Sequence, residues 1–190
     1  MFYRIAKNIC RFIFLFIFRI KVEGKENVPA EGGAIVAMNH RSNWDVPIAA
    51  LGIKRKLRFM AKAEMFKSKP GNWLFSSLGA FPVQRGKGDI GAIKAALGRL
   101  KDNHIIAMFP EGRRSKNGEH VDPKPGVVMI AIKANVPVIP VHITGEYKWM
   151  GKITVKFGEP VSYDDFYDKK LVVEELQGLS NELMNVINSL

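Results

Sequence analysis

A single cysteine, Cys10, in 190 residues leaves no partner for an intramolecular disulfide, so the fold must stand on its hydrophobic core, as suits a reducing compartment. Metal ligands are equally sparse. The four histidines, His40, His104, His120 and His142, are scattered, and none has a partner at helical ligand spacing, so no resident metal is expected. Long apolar runs are missing too: in the first twenty residues the longest uncharged stretch, 12–18, falls far short of the roughly 20 residues a spanning helix needs. A secretory leader is disfavoured because no small-residue cleavage site follows the opening segment. Acidic side chains are in short supply, 18 Asp and Glu against 29 Lys and Arg, and the resulting charge of +11 predicts attraction to an anionic bilayer, a phosphate-rich substrate or nucleic acid. Nucleic acid is the weakest of these, since the aromatics sit in apolar runs rather than alternating with basic residues as base-stacking platforms do.

What the chain does have, first, is an amphipathic start. Over residues 1–20, Arg4, Lys7, Asn8, Arg11 and Arg19 share a helical face about 120° wide, while Phe2, Ile5, Phe12, Ile13, Phe16 and Ile17 occupy the rest. Such a helix suits a membrane interface, with its apolar body among acyl chains and its cations toward headgroups; the alternative is a helix that packs on the core. Residues 21–190 alternate short β-rich runs with helical stretches. That pattern predicts one α/β domain with a largely parallel central sheet flanked by helices. Strands are expected at 19–22, 34–38, 57–61, 80–84, 105–109, 138–142 and 153–157, and helices at 45–51, 64–78, 89–101, 127–134 and 169–187. Between them, Lys54, Arg55, Lys56, Arg58 and Lys62 precede Trp73, Leu74 and Phe75, an arrangement equally suited to a second membrane contact or to a core-facing helix side.

Three polar clusters follow apolar strands, where ligands of open α/β sheets bind. After AIVAM comes Asn39-His40-Arg41-Ser42-Asn43-Trp44-Asp45. Pro47 favours a helix start nearby, and the intervening turn can fold the Asp45 carboxylate onto the His40 ring, leaving the other ring nitrogen able to take a proton from an alcohol. No serine or cysteine is obviously supplied as a nucleophile; Ser42 is nearest, but such turn residues more often cap backbone. After HIIAMF comes Pro110-Glu111-Gly112-Arg113-Arg114-Ser115, which can hold a polyol and a phosphate together, or can simply be a charged solvated turn. The third cluster is Arg85 followed by Gly86, Gly88 and Gly91. Its glycine spacing matches a dinucleotide fingerprint, but that reading leaves the other clusters unexplained; anion binding by Arg85 and helix-start amides is the better use, and a plain turn the third.

Taken in order, KVEGKENVP, NHRSNWD, GAFPVQR, FPEGRRS, PKPG and NVPVIPV resemble the glycerolipid acyltransferase family, the 1-acylglycerol-3-phosphate (lysophosphatidic acid) acyltransferases among them. The resemblance implies that 21–190 is an acyltransferase domain behind an interfacial helix at 1–20. It implies His40 as general base and Asp45 as its orienter, in the family's NHx4D motif. Asn39, Arg85, Glu111, Gly112, Arg113, Arg114, Ser115 and Lys124 are implied as substrate-binding residues, with Arg113 standing where the family usually has threonine. The activity implied is transfer of a fatty acyl group from acyl-CoA or acyl carrier protein to the sn-2 hydroxyl of lysophosphatidic acid, giving phosphatidic acid, without a further cofactor. Glycerol-3-phosphate or another lysophospholipid is the alternative acceptor. The expected partners are the acyl donor, the lysophospholipid and an anionic membrane surface, with the protein peripheral or monotopic on the cytoplasmic face.

Overall fold

A computed structural model describes residues 2–84, 90–115, 121–167 and 169–190. In chain order the elements are α1 (Phe2–Ile17), β1 (Phe18–Glu23), β2 (Ala34–Met38), α2 (Asp45–Gly52), β3 (Leu57–Lys62), α3 (Lys69–Leu78), β4 (Ala80–Val83), α4 (Ile90–Lys101), β5 (Ile105–Met108), α5 (Gly126–Ala134), β6 (Val138–Gly145), β7 (Gly151–Phe157) and α6 (Val173–Ser189). The strands form one seven-stranded sheet in the order β1-β7-β6-β2-β5-β3-β4. β6, β2, β5, β3 and β4 run parallel, as the alternation of strands and helices predicts. β7 reverses against β6 and carries β1 with it. The reason is chain length: only residues 146–150 separate β6 from β7, too few for the crossover of a dozen or more residues that parallel pairing requires.

Layering follows from burial on both faces of the central strands. Every residue of β2 is fully buried; Ala34, Val36 and Met38 point into one apolar cluster with Ile48 and Phe14, while Ile35 and Ala37 point into the other with Val128 and Ile132. This is why AIVAM reads as an unbroken apolar run rather than an alternating one. α1 and α2 therefore cover one face, and α4, α5 and α6 the other.

Three helices differ from expectation, one of them α6, which begins at Val173 rather than at 169. The helix expected over 64–78 is split: residues 63–66 make a short 3-10 turn, and α3 starts only at Lys69. Ser68 caps α3 by accepting from the Gly71 amide at 3.1 Å, and Pro70 lacks the N–H that a continuous helix would need. No residue of α3 is buried, so the core-facing alternative for Trp73 and Leu74 fails; they are 58% and 39% exposed. α1 ends at Ile17, where Phe18 enters β1. Its buried anchor is Phe14, and its basic face turns partly inward: Lys7 donates to the Ile53 carbonyl and Arg11 to that of Leu51 at 3.3 Å, cations at the C-terminal end of α2 where the helix dipole favours them. Facing outward instead are Ile5, Ile9, Phe12, Ile13, Leu15 and Phe16, each 45–68% exposed. Among the described residues, no helix is long and apolar enough to cross a membrane.

Candidate active site

β2 and β5 are parallel neighbours, so their following loops leave the same edge of the sheet side by side. The β2 loop turns sharply. The Asp45 amide donates to the Ser42 carbonyl at 3.3 Å and the Trp44 amide to Ser42 Oγ at 3.2 Å, after which Ile48 N–H closes the first turn of α2 on Trp44. Pro47 sits within that first turn, where its missing N–H costs nothing. The turn brings Asp45 Oδ2 to 2.9 Å from His40 Nδ1. Asp45 is wholly buried, and the His40 side chain is 11% exposed.

The buried carboxylate is saturated with donors. Besides the imidazole, Oδ2 accepts from the amides of Arg41 and Ser42, each at 2.8 Å, and Oδ1 accepts from the Tyr147 hydroxyl. Four donors on one carboxylate fix its orientation. With Nδ1–H facing Asp45, the lone pair of the ring lies on Nε2, the tautomer of a general base. The imidazole also stacks on Phe109, with ring centroids 3.8 Å apart and planes 17° from parallel, so it is held on its face as well as its edge. Two of the amides that follow His40 are thereby engaged by Asp45 and are not free to stabilise an oxyanion.

The β5 loop supports the β2 loop from the other side. Glu111 is buried at 4% exposure, and its Oε1 accepts from the His40 amide at 3.0 Å. Oε2 is buried too and has no partner among the described residues. Burial, foremost, pushes the Glu111 carboxyl above its ordinary range, with the nearby charge of Asp45 acting in the same direction and the His40 amide and Arg113 against it. Ser115 N–H reaches back to the His40 carbonyl at 2.9 Å, and the Lys124 amide donates to the Pro110 carbonyl at 2.8 Å. Gly112, at φ 67°, takes the left-handed turn that a side chain would strain, and the methylenes of Lys124 lie directly against it. On the opposite flank, the Asn39 amide is engaged at both ends by Ile143 of β6: Nδ2 donates to its carbonyl at 2.9 Å and Oδ1 accepts from its amide at 2.8 Å. Asn39 thus extends the β2–β6 ladder past Met38 and fixes the strand end from which His40 projects.

The structure therefore gathers Asn39, His40, Asp45, Glu111, Gly112, Ser115 and the backbone of Lys124 at one sheet edge. Arg113 and Arg114 are exposed beside them. Arg85, with Gly86 and Gly88, lies outside the described residues, so its expected phosphate contact has no geometry here. Asn39 and Glu111, both expected among the substrate contacts, bond to protein through the atoms just described. Two residues at the centre escaped sequence reasoning. Phe109 directly follows β5 in an apolar run, with nothing to mark its ring as a platform for His40. Tyr147 comes 102 residues after Asp45, in a hairpin loop without a motif. Among the described residues, no group of three or more His, Cys, Asp or Glu side chains is placed to hold a metal ion.

With this geometry in view, likeness to known proteins narrows the chemistry. The model of the Acyltransferase family matches residues 19–144, which include both loops of the site. A 1-acyl-sn-glycerol-3-phosphate acyltransferase of Bacillus subtilis (strain 168) is 32% identical over 170 residues, spanning 86% of this chain and 84% of that protein. One from Streptococcus pneumoniae is 33% identical over 156 residues, 78% of this chain and 57% of the relative. The crystal structure of the 1-acyl-sn-glycerophosphate (LPA) acyltransferase PlsC from Thermotoga maritima superimposes with a TM-score of 0.77 at 28% identity, over 98% of this chain and 78% of that one.

Proposed function

This chain belongs to the Acyltransferase family, and on that premise we propose that it moves a fatty acyl group from acyl-CoA or acyl carrier protein to the sn-2 hydroxyl of lysophosphatidic acid, forming phosphatidic acid. The observation that carries this is the buried His40–Asp45 pair at 2.9 Å, beside a loop bearing Arg113, Arg114 and Lys124. The relatives' names supply the acceptor.

His40 Nε2 takes the proton of the sn-2 hydroxyl as that oxygen attacks the thioester carbonyl, and Asp45 balances the imidazolium that forms. The tetrahedral oxyanion collapses by breaking the carbon–sulfur bond, and the imidazolium returns its proton to the departing thiolate. No acyl-enzyme is involved. Ser42 Oγ is the acceptor for the Trp44 amide, and Cys10, on the core-facing side of α1, has its thiol pKa pushed up by burial, which disfavours the nucleophilic thiolate. Arg113, Arg114 and Lys124, joined by Arg85, grip the acceptor's phosphate.

The acceptor is a lipid, and the chain meets it at the bilayer. All three tryptophans, Trp44, Trp73 and Trp149, are exposed, at 48%, 58% and 73%, although tryptophan is usually largely buried. Together with the outward face of α1 they make an apolar surface of the kind that docks at an interface, and Trp44 places that surface next to Asp45. We assign this docking to the cytoplasmic face. An apolar cavity of about 110 Å³ opens beneath α1, lined by Tyr3, Cys10, Val46, Pro47, Leu51 and Leu78, one helical turn beyond Asp45 and suited to part of an acyl chain.

The test is thiol release from acyl-CoA and from acyl carrier protein, each with lysophosphatidic acid, with glycerol-3-phosphate and with no acceptor. Release stimulated by lysophosphatidic acid and abolished in His40→Ala is expected. Equal release without acceptor, or preference for glycerol-3-phosphate, would overturn the assignment of the acceptor.

A further inference from the structure

Three of the four donors on the Asp45 carboxylate come from its own turn, and all three reach Oδ2. Oδ1 is left to a distant residue. Tyr147 supplies its hydroxyl from the loop between β6 and β7, and this bond keeps the second oxygen of a fully buried carboxylate from standing without a donor. The tyrosine is itself braced. Phe18, the first residue of β1, meets its ring edge-on with centroids 6.0 Å apart and planes at 89°, and the Met150 amide ties the same loop to the Ile17 carbonyl at 2.7 Å. Burial, followed by the charge of Asp45, holds the phenol well above its ordinary range, so it remains a donor throughout the working pH range.

We propose that Tyr147 is a positioning residue for the proton-abstracting pair, holding the Asp45 carboxylate in the plane that aims His40 Nε2 at the acceptor hydroxyl. The proposal rests on His40 being the base. Without the Tyr147 bond no donor among the described residues meets Oδ1, and the carboxylate plane, with the imidazole bonded to it, is set by the three bonds to Oδ2 alone. The hydroxyl also draws negative charge from the carboxylate. Without it, Asp45 pulls harder on a protonated imidazole, and the pair holds its proton to higher pH. Among the described residues, the other charges at this place are Arg41 from the same turn and Glu111 from the β5 loop, with Arg113 acting on Glu111; removing one phenolic oxygen leaves all of them in place.

The experiment uses the full chain with Tyr147→Phe, which keeps the ring and its contact with Phe18. The imidazole titration of His40 is followed by NMR in the resting protein, assigned by comparison with His40→Ala, and the pH profile of acyl transfer is recorded beside it. Titration and the acid limb of kcat/KM are expected to move together to higher pH by on the order of half a unit. At neutral pH kcat should fall about tenfold with KM little changed, as for one charge-assisted bond lost in orientation of the base. In an Asp45→Asn background the same substitution should produce no further shift. A titration that coincides with that of the wild type overturns the proposal, and so does a further shift in the Asp45→Asn background, because Tyr147 would then act by another route. If the titration shifts but the wild type never acylates lysophosphatidic acid, Tyr147 keeps its role and the proposed function fails instead.

Discussion

Replacing Asp45 by asparagine tests the pair at its source, and the hydrogen-bond pattern allows the cost to be worked out in advance. The amide oxygen of asparagine can take the place of Oδ2, where it still accepts from His40 Nδ1 and from the amides of Arg41 and Ser42. Its NH2 then takes the place of Oδ1 and meets the Tyr147 hydroxyl, which can turn to accept. The Tyr147 proton then loses its acceptor, and the second amide hydrogen needs one of its own. The lost charge assistance and the unpaired donors cost about 1–3 kcal/mol, and the variant should be purified folded with a lowered Tm. Catalysis suffers more. As the proton reaches Nε2 the ring becomes a cation at a site where its side chain is 11% exposed, and the charge that balanced it is gone. Stranding one member of such a pair costs about 3–5 kcal/mol, which converts to a fall in kcat of roughly 10²- to 10⁴-fold. Thiol release from acyl-CoA with saturating lysophosphatidic acid measures it directly. A folded Asp45→Asn protein working within threefold of the wild-type rate would refute the role of the carboxylate.

Glu111→Gln should change how stability depends on pH. Because burial raises this carboxyl, the folded state binds its proton more tightly than the unfolded chain does; the stability it contributes is fully present below the ordinary carboxylate range and is lost as pH rises through the raised value. Glutamine keeps an acceptor for the His40 amide and does not titrate, so the Tm of the variant relative to wild type should climb as pH rises above the ordinary carboxylate range; a relative Tm that is flat or falls there would contradict the buried-carboxyl account. Phe12→Asp with Phe16→Asp alters two side chains 63% and 56% exposed on α1, away from its buried Phe14 anchor. Two aromatic side chains at about 1.5–3 kcal/mol each predict a loss of liposome binding of a hundredfold or more in flotation, with unchanged thermal stability. Undiminished flotation would shift the docking to Trp44 and Trp149 at the rim of the site.

Much of this molecule was legible in the chain because the deciding interactions are local. Four residues separate His40 from Asp45, and a turn closed by a helix start leaves the carboxylate few places to go but the ring. AIVAM declares a strand buried on both faces because a half-exposed strand would need polar residues in alternation. The five parallel strands follow from helices long enough to cross back over the sheet. The reversal of β7 was latent in the short 146–150 connection, and the splitting of the helix before α3 was latent in Ser68 and Pro70. Other features depend on pairings between distant segments, to which periodicity and spacing are blind. That Asn39 would bond Ile143, that Glu111 would hold the His40 amide, that Lys7 and Arg11 would turn toward α2 and leave the apolar face of α1 outward, and that Tyr147 would close the last lone pair of Asp45 were all decided by the packing of elements far apart in sequence. Composition and spacing can place a base beside its carboxylate. Which remote side chains hold that carboxylate still depends on where the sheet brings its strand ends together.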